Sequence, residues 1–454
     1  MLQENPKASD QGDLYRARLE SIIDPRHELV KLAGKVGWSG LQEDLSVYYC
    51  PDNGRPGGSI RLMAGLQMLK DMKGLSDEEV CAVWQENPYF QHFCGEEFFQ
   101  HRLPVEPPSL SIFRKRIGKS GMERLLQETI RIGLESGAIG AKDLKRVTVD
   151  TTVQEKAIRF PTDTQLCHKA REELVKTAEK HDLDLRQSYV RKSKKAVFLA
   201  NRYMAARQIN RGRKQIKKVR NYLGRVIRDI ERAIARNPLF GGFFRDDLAK
   251  ARKIYDQAAD PKTPNKIYSW HAPEVECIAK GKAHKKYEFG CKASIASTNT
   301  GNFIVGAMAH HGRPYNGATL ATVLAQIEKL TGATPKEVYV DLGYRGHGIT
   351  EDRTQVILAR QKRNITSTKK RHQKRRNAIE PIIGHCKNDR KVGPQLAPWQ
   401  TRRSNQRPRH GDRLQSQKDP EEDSFVSVVQ LLLWVPEPRP SVGPGLKQGF
   451  FMPD

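Results

Sequence analysis

The stretch Lys336-Glu337-Val338-Tyr339-Val340-Asp341-Leu342-Gly343-Tyr344-Arg345-Gly346 constrains the fold more than any other. Val338 and Val340 alternate as on a buried strand, Asp341 stands at the strand's exit, and Gly343 and Gly346 supply the turn that follows. A carboxylate delivered by a strand end is held rigidly, which suits a metal ligand. The same position also suits an Asp that only caps the next turn. A second strand runs from Arg146 to Val153, with Val147, Val149, Thr151 and Val153 on one face and Asp150 on the other. A lone Asp in a β-branched strand is costly unless it is solvated, paired or bound to a cation.

A third carboxylate lies in Arg375-Arg376-Asn377-Ala378-Ile379-Glu380-Pro381-Ile382-Ile383-Gly384-His385-Cys386-Lys387. Ile379, Ile382, Ile383 and Cys386 form an apolar helical stripe, and Arg376, Glu380 and Lys387 fall within about a 40° sector of a helix. Such a face is either a salt-bridged surface or a third ligand flanked by phosphate-binding cations. Pro381 is tolerated only near a helix start, so Arg376 either shares that face or precedes the helix and leaves it.

The 454 residues suffice for two or three domains, and 37% hydrophobic content excludes a wholly disordered chain. Lys and Arg number 79 against 52 Asp and Glu, a formal charge of +27, which favours a polyanionic partner such as nucleic acid. Seven scattered cysteines without a C-x-x-C pair indicate neither a zinc site nor a disulfide framework. With no apolar leader and no run of about 18 apolar residues, no membrane association is expected and the location expected is cytoplasmic.

Residues 1–27 read as a polar lead and 28–135 as a helical N-terminal domain. Ile60, Leu62, Met63, Leu66 and Leu69 mark one helix that Gly74 stops, and Ser76 with Glu79 forms a capping box for the next, which Asn87-Pro88 ends. After Pro107-Pro108, Ser109 can cap a helix carrying Ile112, Phe113 and Ile117 around the basic run Arg114-Lys115-Arg116. This resembles a helix-turn-helix module, although a dimerisation or packing domain has the same signature.

Residues 166–262 read as a charged helical insert. From Arg186 to Arg236 there are seventeen Lys or Arg and two acids, Asp229 and Glu231. Ile216, Val219, Leu223, Val226, Ile230 and Ile234 recur at helical spacing, so the opposite face is almost purely positive. A DNA-backbone clamp and a contact between subunits both fit. Beyond it come strands over Tyr287 to Ser297 and Asn302 to Ala309, a helix through Leu320 to Ile327 closed by Gly332, the Asp341 strand, and one more at Val356 to Leu358. The expected architecture is a mixed sheet flanked by helices.

Three blocks, Val147 to Thr152, Tyr339 to Gly346 and Ile379 to Lys387, resemble the catalytic blocks of bacterial DDE transposases, in particular the insertion-sequence-five group. The resemblance spans roughly residues 28 to 393 and includes the segment from Trp270-His271-Ala272-Pro273-Glu274 to Phe289-Gly290. It implies an α/β, RNase H-like catalytic core over 140–393 with Asp150, Asp341 and Glu380 as a triad holding Mg²⁺, for which Mn²⁺ can substitute. Two Asp and one Glu can hold a pair of such ions for in-line phosphodiester displacement. The wider Y-x2-R-x3-E-x6-K signature matches at Arg376, Glu380 and Lys387, but its Tyr position is Gln373. The activity implied is cutting at terminal inverted repeats and joining freed 3′ ends to target DNA, by a homodimer or larger complex on double-stranded DNA. The expected DNA contacts are Arg345, Arg376 and Lys387 beside the triad, Arg114, Lys115 and Arg116 of the basic helix, and Lys214, Lys217 and Lys218 of the insert. The alternatives are a non-catalytic remnant that occupies the repeats and a structure-selective nuclease on the same fold.

Residues 394–454 change character: they hold nine of the 25 prolines and no periodicity. The resemblance leads one to expect Arg-Asn and later a basic closing helix. Codons available for Pro394-Gln395-Leu396 begin Arg-Asn when read one base later, and those for Leu414 to Asp423, shifted likewise, encode a basic amphipathic helix. A single-base insertion near codon 394 in a degenerate copy accounts for both; a gene whose shifted frame lacks these features leaves a divergent tail instead.

Overall fold

A computed structural model describes residues 17–50, 57–260, 262–279, 286–350, 353–361, 365–388 and 395–396. The frame-shift expectation therefore lies almost wholly outside the described residues.

Seven helices come first: α1 (Leu19–Ile22), α2 (Glu28–Lys35), α3 (Trp38–Ser46), α4 (Ile60–Lys73), α5 (Asp77–Glu86), α6 (Pro88–Phe93) and α7 (Pro108–Glu135). The Ser76–Glu79 capping box closes the start of α5 from both sides, as its spacing predicts. The helical region already begins within the expected lead, because Leu19 is fully buried and its amide donates to the Glu97 carbonyl at 2.8 Å. Helix α7 starts on Pro108 rather than on a Ser109 cap, since proline suits a first helical position. Gly118, at φ 54° and ψ −155°, kinks α7. Phe113 and Ile117 are buried, but Ile112 is 54% exposed and stands off the expected apolar face.

The sheet combines β1 (Arg146–Ala157), β2 (Glu276–Ala279), β3 (Tyr287–Thr298), β4 (Ile304–His310), β5 (Glu337–Val340), β6 (Gln355–Leu358) and β7 (Gln395–Leu396). β3 pairs antiparallel with β1 on one side and with β2 and β4, end to end, on the other. β1, β5 and β6 run parallel, and β7 adds a short parallel pairing at the far end of β1. Gly290 sits where β3 crosses Glu155; a Cβ there would lie 1.9 Å from the Gln154 carbonyl oxygen, so only glycine fits.

Between β1 and β2 stand α8 (Asp163–Lys180), α9 (Val190–Ala205), α10 (Ile209–Arg236) and α11 (Gly241–Gln257). They enclose their own core, with Leu174, Val197, Leu223, Ile230 and Phe244 buried together and Trp270 closing it. Helix α12 (Asn316–Thr331) covers one face of the sheet through Leu320, Val323 and Ile327, against Val147, Val149, Val338 and Val340. The N-terminal helices share a core with Ala293, Ile295, Ile382 and Cys386, so they are continuous with the sheet layer. Ile382 and Cys386 belong to α14 (Ile379–Asn388), which α13 (Ser367–Arg375) precedes. Among the described residues no helix is long and apolar enough to cross a membrane.

Candidate functional site

The alternation of β1 decides where Asp150 goes. Val147 and Val149 point into the core beneath α12, which turns Asp150 to the opposite face. The parallel register of β1 and β5 runs Arg146↔Glu337, Val147↔Val338 and Thr148↔Tyr339. Asp150 and Asp341 each follow the last paired residues, Thr148 and Tyr339, by two positions, Asp341 just past the end of β5. Val338 and Val340 share the core of Val147 and Val149, so Asp341 falls on the same face as Asp150. Both carboxylates also act on one phenol: Tyr344 is fully buried, and burial, then the charges of Asp150 and Asp341, push its pKa up.

Asp341 opens the 3₁₀ turn Leu342–Tyr344, yet its side chain makes no capping bond. Its Oδ1 is buried without a hydrogen-bond partner among the described residues. A buried carboxylate oxygen left so is costly, and a bound cation relieves that cost. Asp150 is better provided for: Oδ1 accepts from the Thr151 amide at 2.7 Å, and Oδ2 lies 3.6 Å from Arg376 Nη1.

Arg376 connects the third carboxylate. Its Nη2 lies 3.9 Å from Glu380 Oε1 and donates to Asn377 Oδ1 at 3.2 Å. The chain makes this possible by leaving α13 through a 3₁₀ turn, Arg376–Ala378, before α14 begins at Ile379 with Pro381 in its first turn. Arg376 thus precedes the helix and lies between two carboxylates, 12% exposed, whereas the Glu380 side chain is 67% exposed. Among the described residues no three His, Cys, Asp or Glu side chains gather closely enough to hold an ion. Asp150 and Asp341 are the carboxylates that could hold a divalent cation; Glu380 stands one guanidinium away.

Polar side chains from distant segments hold this arrangement, and of these Asn299 and His372 carry no signal in the sequence. Asn299 donates to Thr148 Oγ1 at 3.0 Å and to the His372 carbonyl at 3.1 Å, and His372 Nδ1 meets Asn299 Oδ1 at 2.9 Å. Gln373, the mismatch in the signature, donates to the Leu358 carbonyl at 2.7 Å and so anchors α13 to β6. Lys387 Nζ donates to the Val153 carbonyl at 2.6 Å, tying α14 to the Asp150 strand. These contacts join segments far apart in the chain, and no local spacing announces them.

The expected DNA contacts divide. Arg114 is turned inward, 12% exposed: it donates to both oxygens of Asp77, at 3.0 and 2.6 Å, and to Gln67 Oε1 at 3.2 Å. Asp77 also receives Lys70 at 2.7 Å; burial works to raise its carboxyl, but Arg114 and Lys70 outweigh burial and hold it below the usual range. Arg114 is thus engaged with Asp77 and Gln67. Lys115 and Arg116 are exposed, Arg116 lying over the Tyr49 ring at 4.5 Å. Lys214, Lys217 and Lys218 of α10 and Arg345 beside Asp341 are exposed, and their side chains have no partner among the described residues.

Residues 17–116 match a family model described as a transposase domain, DUF772. The chain is 49% identical over 201 residues to a Rhizobium meliloti protein described as the uncharacterized protein ORF8 in nfe locus. That match takes in 44% of this chain and 97% of the relative. No solved structure matches the chain.

Proposed function

We propose that this chain, which belongs to a transposase family, is a DDE-type DNA transposase of the insertion-sequence-five group. It would cut at terminal inverted repeats and join the freed 3′ ends to target DNA. The observation that carries this reading is that Asp150 on β1 and Asp341, just past the end of the neighbouring parallel β5, both act on the buried Tyr344, with Glu380 linked to Asp150 through Arg376. The antiparallel β3 beside a parallel β1-β5-β6 set, covered by helices on both faces, supports an RNase H-like core.

Asp150 and Asp341 would hold Mg²⁺ (or Mn²⁺), with Glu380 as the third ligand; the ion supplies charge for the leaving oxygen and a more acidic water or 3′-hydroxyl. The rest falls to the chain. In the first step water displaces the 3′ oxygen at the repeat boundary, leaving a 3′-hydroxyl and a 5′-phosphate; in the second, that 3′-hydroxyl displaces a target-strand oxygen, so that step forms one ester for the one it breaks. Lys387 keeps α14 registered on β1, which holds Glu380 near the scissile phosphate. Arg345 is free to pair with a phosphate beside Asp341. The insert's cations bind backbone independently of sequence. Transposases hold two ends, so a dimer or larger complex on DNA is the working form.

One observation favours a second reading, a DNA-binding remnant that does not cut: Glu380 is largely exposed and reaches Asp150 only through Arg376. Cleavage of a labelled terminal-repeat duplex with Mg²⁺, beside Asp341→Ala, separates the two. Nicking at the boundary that Asp341→Ala abolishes establishes the enzyme. Repeat binding without nicking by either protein establishes the remnant.

A further inference from the structure

Helix α9 buries Ser193, Ala196, Val197 and Ala200 against the insert's core. Ser193 Oγ meets His168 Nδ1 at 2.8 Å, which fixes the helix on α8. The opposite face follows the spacing of one helical stripe: Arg191, Lys194, Lys195, Phe198, Asn201 and Arg202, all exposed. Helix α9 contains no acidic residue, and none of the four cations has a partner among the described residues. In their midst Phe198 is 63% exposed. Two cations precede it by three and four residues, and Arg202 follows by four.

We propose that this face of α9 binds single-stranded DNA, with Phe198 stacking on an unpaired base and the four cations holding the flanking phosphates. A cationic track with an aromatic platform is the chemistry that grips an unpaired strand, because every base has a face to stack while phosphates supply the charge. The stripe from Arg191 to Arg202 is about 16 Å long at helical rise, enough for a short stretch of strand. A second copy of the chain fits poorly, since it would set four cations against four. A membrane surface fits poorly too, since the apolar side of α9 faces the core and one ring does not make a broad apolar face. The inference rests on reading the insert as a DNA grip, but not on strand cutting.

The test uses the full chain and short oligonucleotides carrying 2-aminopurine, as single strands and as fully paired duplexes. Phe198→Ala should weaken single-strand binding about tenfold and remove the stacking quench, while duplex affinity stays within about twofold. Phe198→Trp should retain both. Lys194→Gln with Lys195→Gln should lower the salt slope of single-strand binding by about 1.4. Because Phe198 is exposed, these variants should keep the wild-type circular dichroism spectrum. Wild-type affinity and quench in Phe198→Ala overturn the proposal, even if the protein cuts DNA. So does a Phe198 requirement that appears only with phosphatidylserine vesicles, or only in self-association by sedimentation.

Discussion

Helix α7 and the α9–α10 pair carry similar runs of Lys and Arg, yet the two regions use them in opposite ways. On α7, Arg114 is held by Asp77, Arg124 by Asp44 and Glu128, and Arg131 by Glu128 and Glu135. On α9 and the first half of α10, Lys194, Lys195, Lys214, Lys217 and Lys218 meet no carboxylate among the described residues. Further along α10 pairing returns, with Arg232 on Asp229 and Arg220 over the Tyr255 ring. A basic run therefore marks a polyanion surface only where the fold brings no acids to it. The acids that neutralise α7 come from α3 and α5 as well as from α7 itself, so the run's own sequence does not reveal the outcome.

The largest effect should come from breaking the paired region. Arg114→Leu leaves Asp77 with Lys70 alone in a partly buried setting and should cost about 3 kcal/mol of stability in urea unfolding. A cost below about 0.5 kcal/mol would place Arg114 among the surface cations after all.

A pH series sharpens the contrast where α7 meets the sheet. Burial, then the charges of Lys292, Lys119 and His311, lower the His310 pKa from 6.5 to about 4. Below pH 6.5 the unfolded chain takes up a proton that the folded one refuses, so this contribution is complete above 6.5 and is lost as pH falls toward about 4. The loss should reach about 3 kcal/mol, and His310→Gln should flatten that part of the profile. An unchanged profile would mean that the imidazole titrates normally.

The smallest stability effect should come from the unpaired region. Lys214→Gln, Lys217→Gln and Lys218→Gln together should shift stability by less than about 0.5 kcal/mol. They should nevertheless lower the salt slope of duplex binding by about 2.7. A slope that does not move would assign those lysines to solvent.

Much of the sheet was legible because period-two patterns are local. Val147, Val149, Val338 and Val340 declared a buried face, and the two Asp followed from alternation. The kink at Gly118 and the exposure of Ile112 were not legible, since a helical stripe says nothing about where its axis bends. Nor was Arg376's place between Asp150 and Glu380, which depends on a 3₁₀ turn setting α13 against α14. Asn299 and His372 carried no signal at all, because a polar bridge between distant segments has no spacing to read.

The length of β1 has a mechanical consequence. The strand runs unbroken from Arg146 to Ala157, braced by β3 on one edge and by β5 and β7 on the other. Asp150 lies near one end; the insert departs just past the other, where Lys156 is clamped to Glu274 on the returning chain. Over the roughly 23 Å between them the backbone is a stiff rod and not a loop. A load taken up by the insert therefore arrives at Asp150 as axial thrust, with little slack to absorb it on the way.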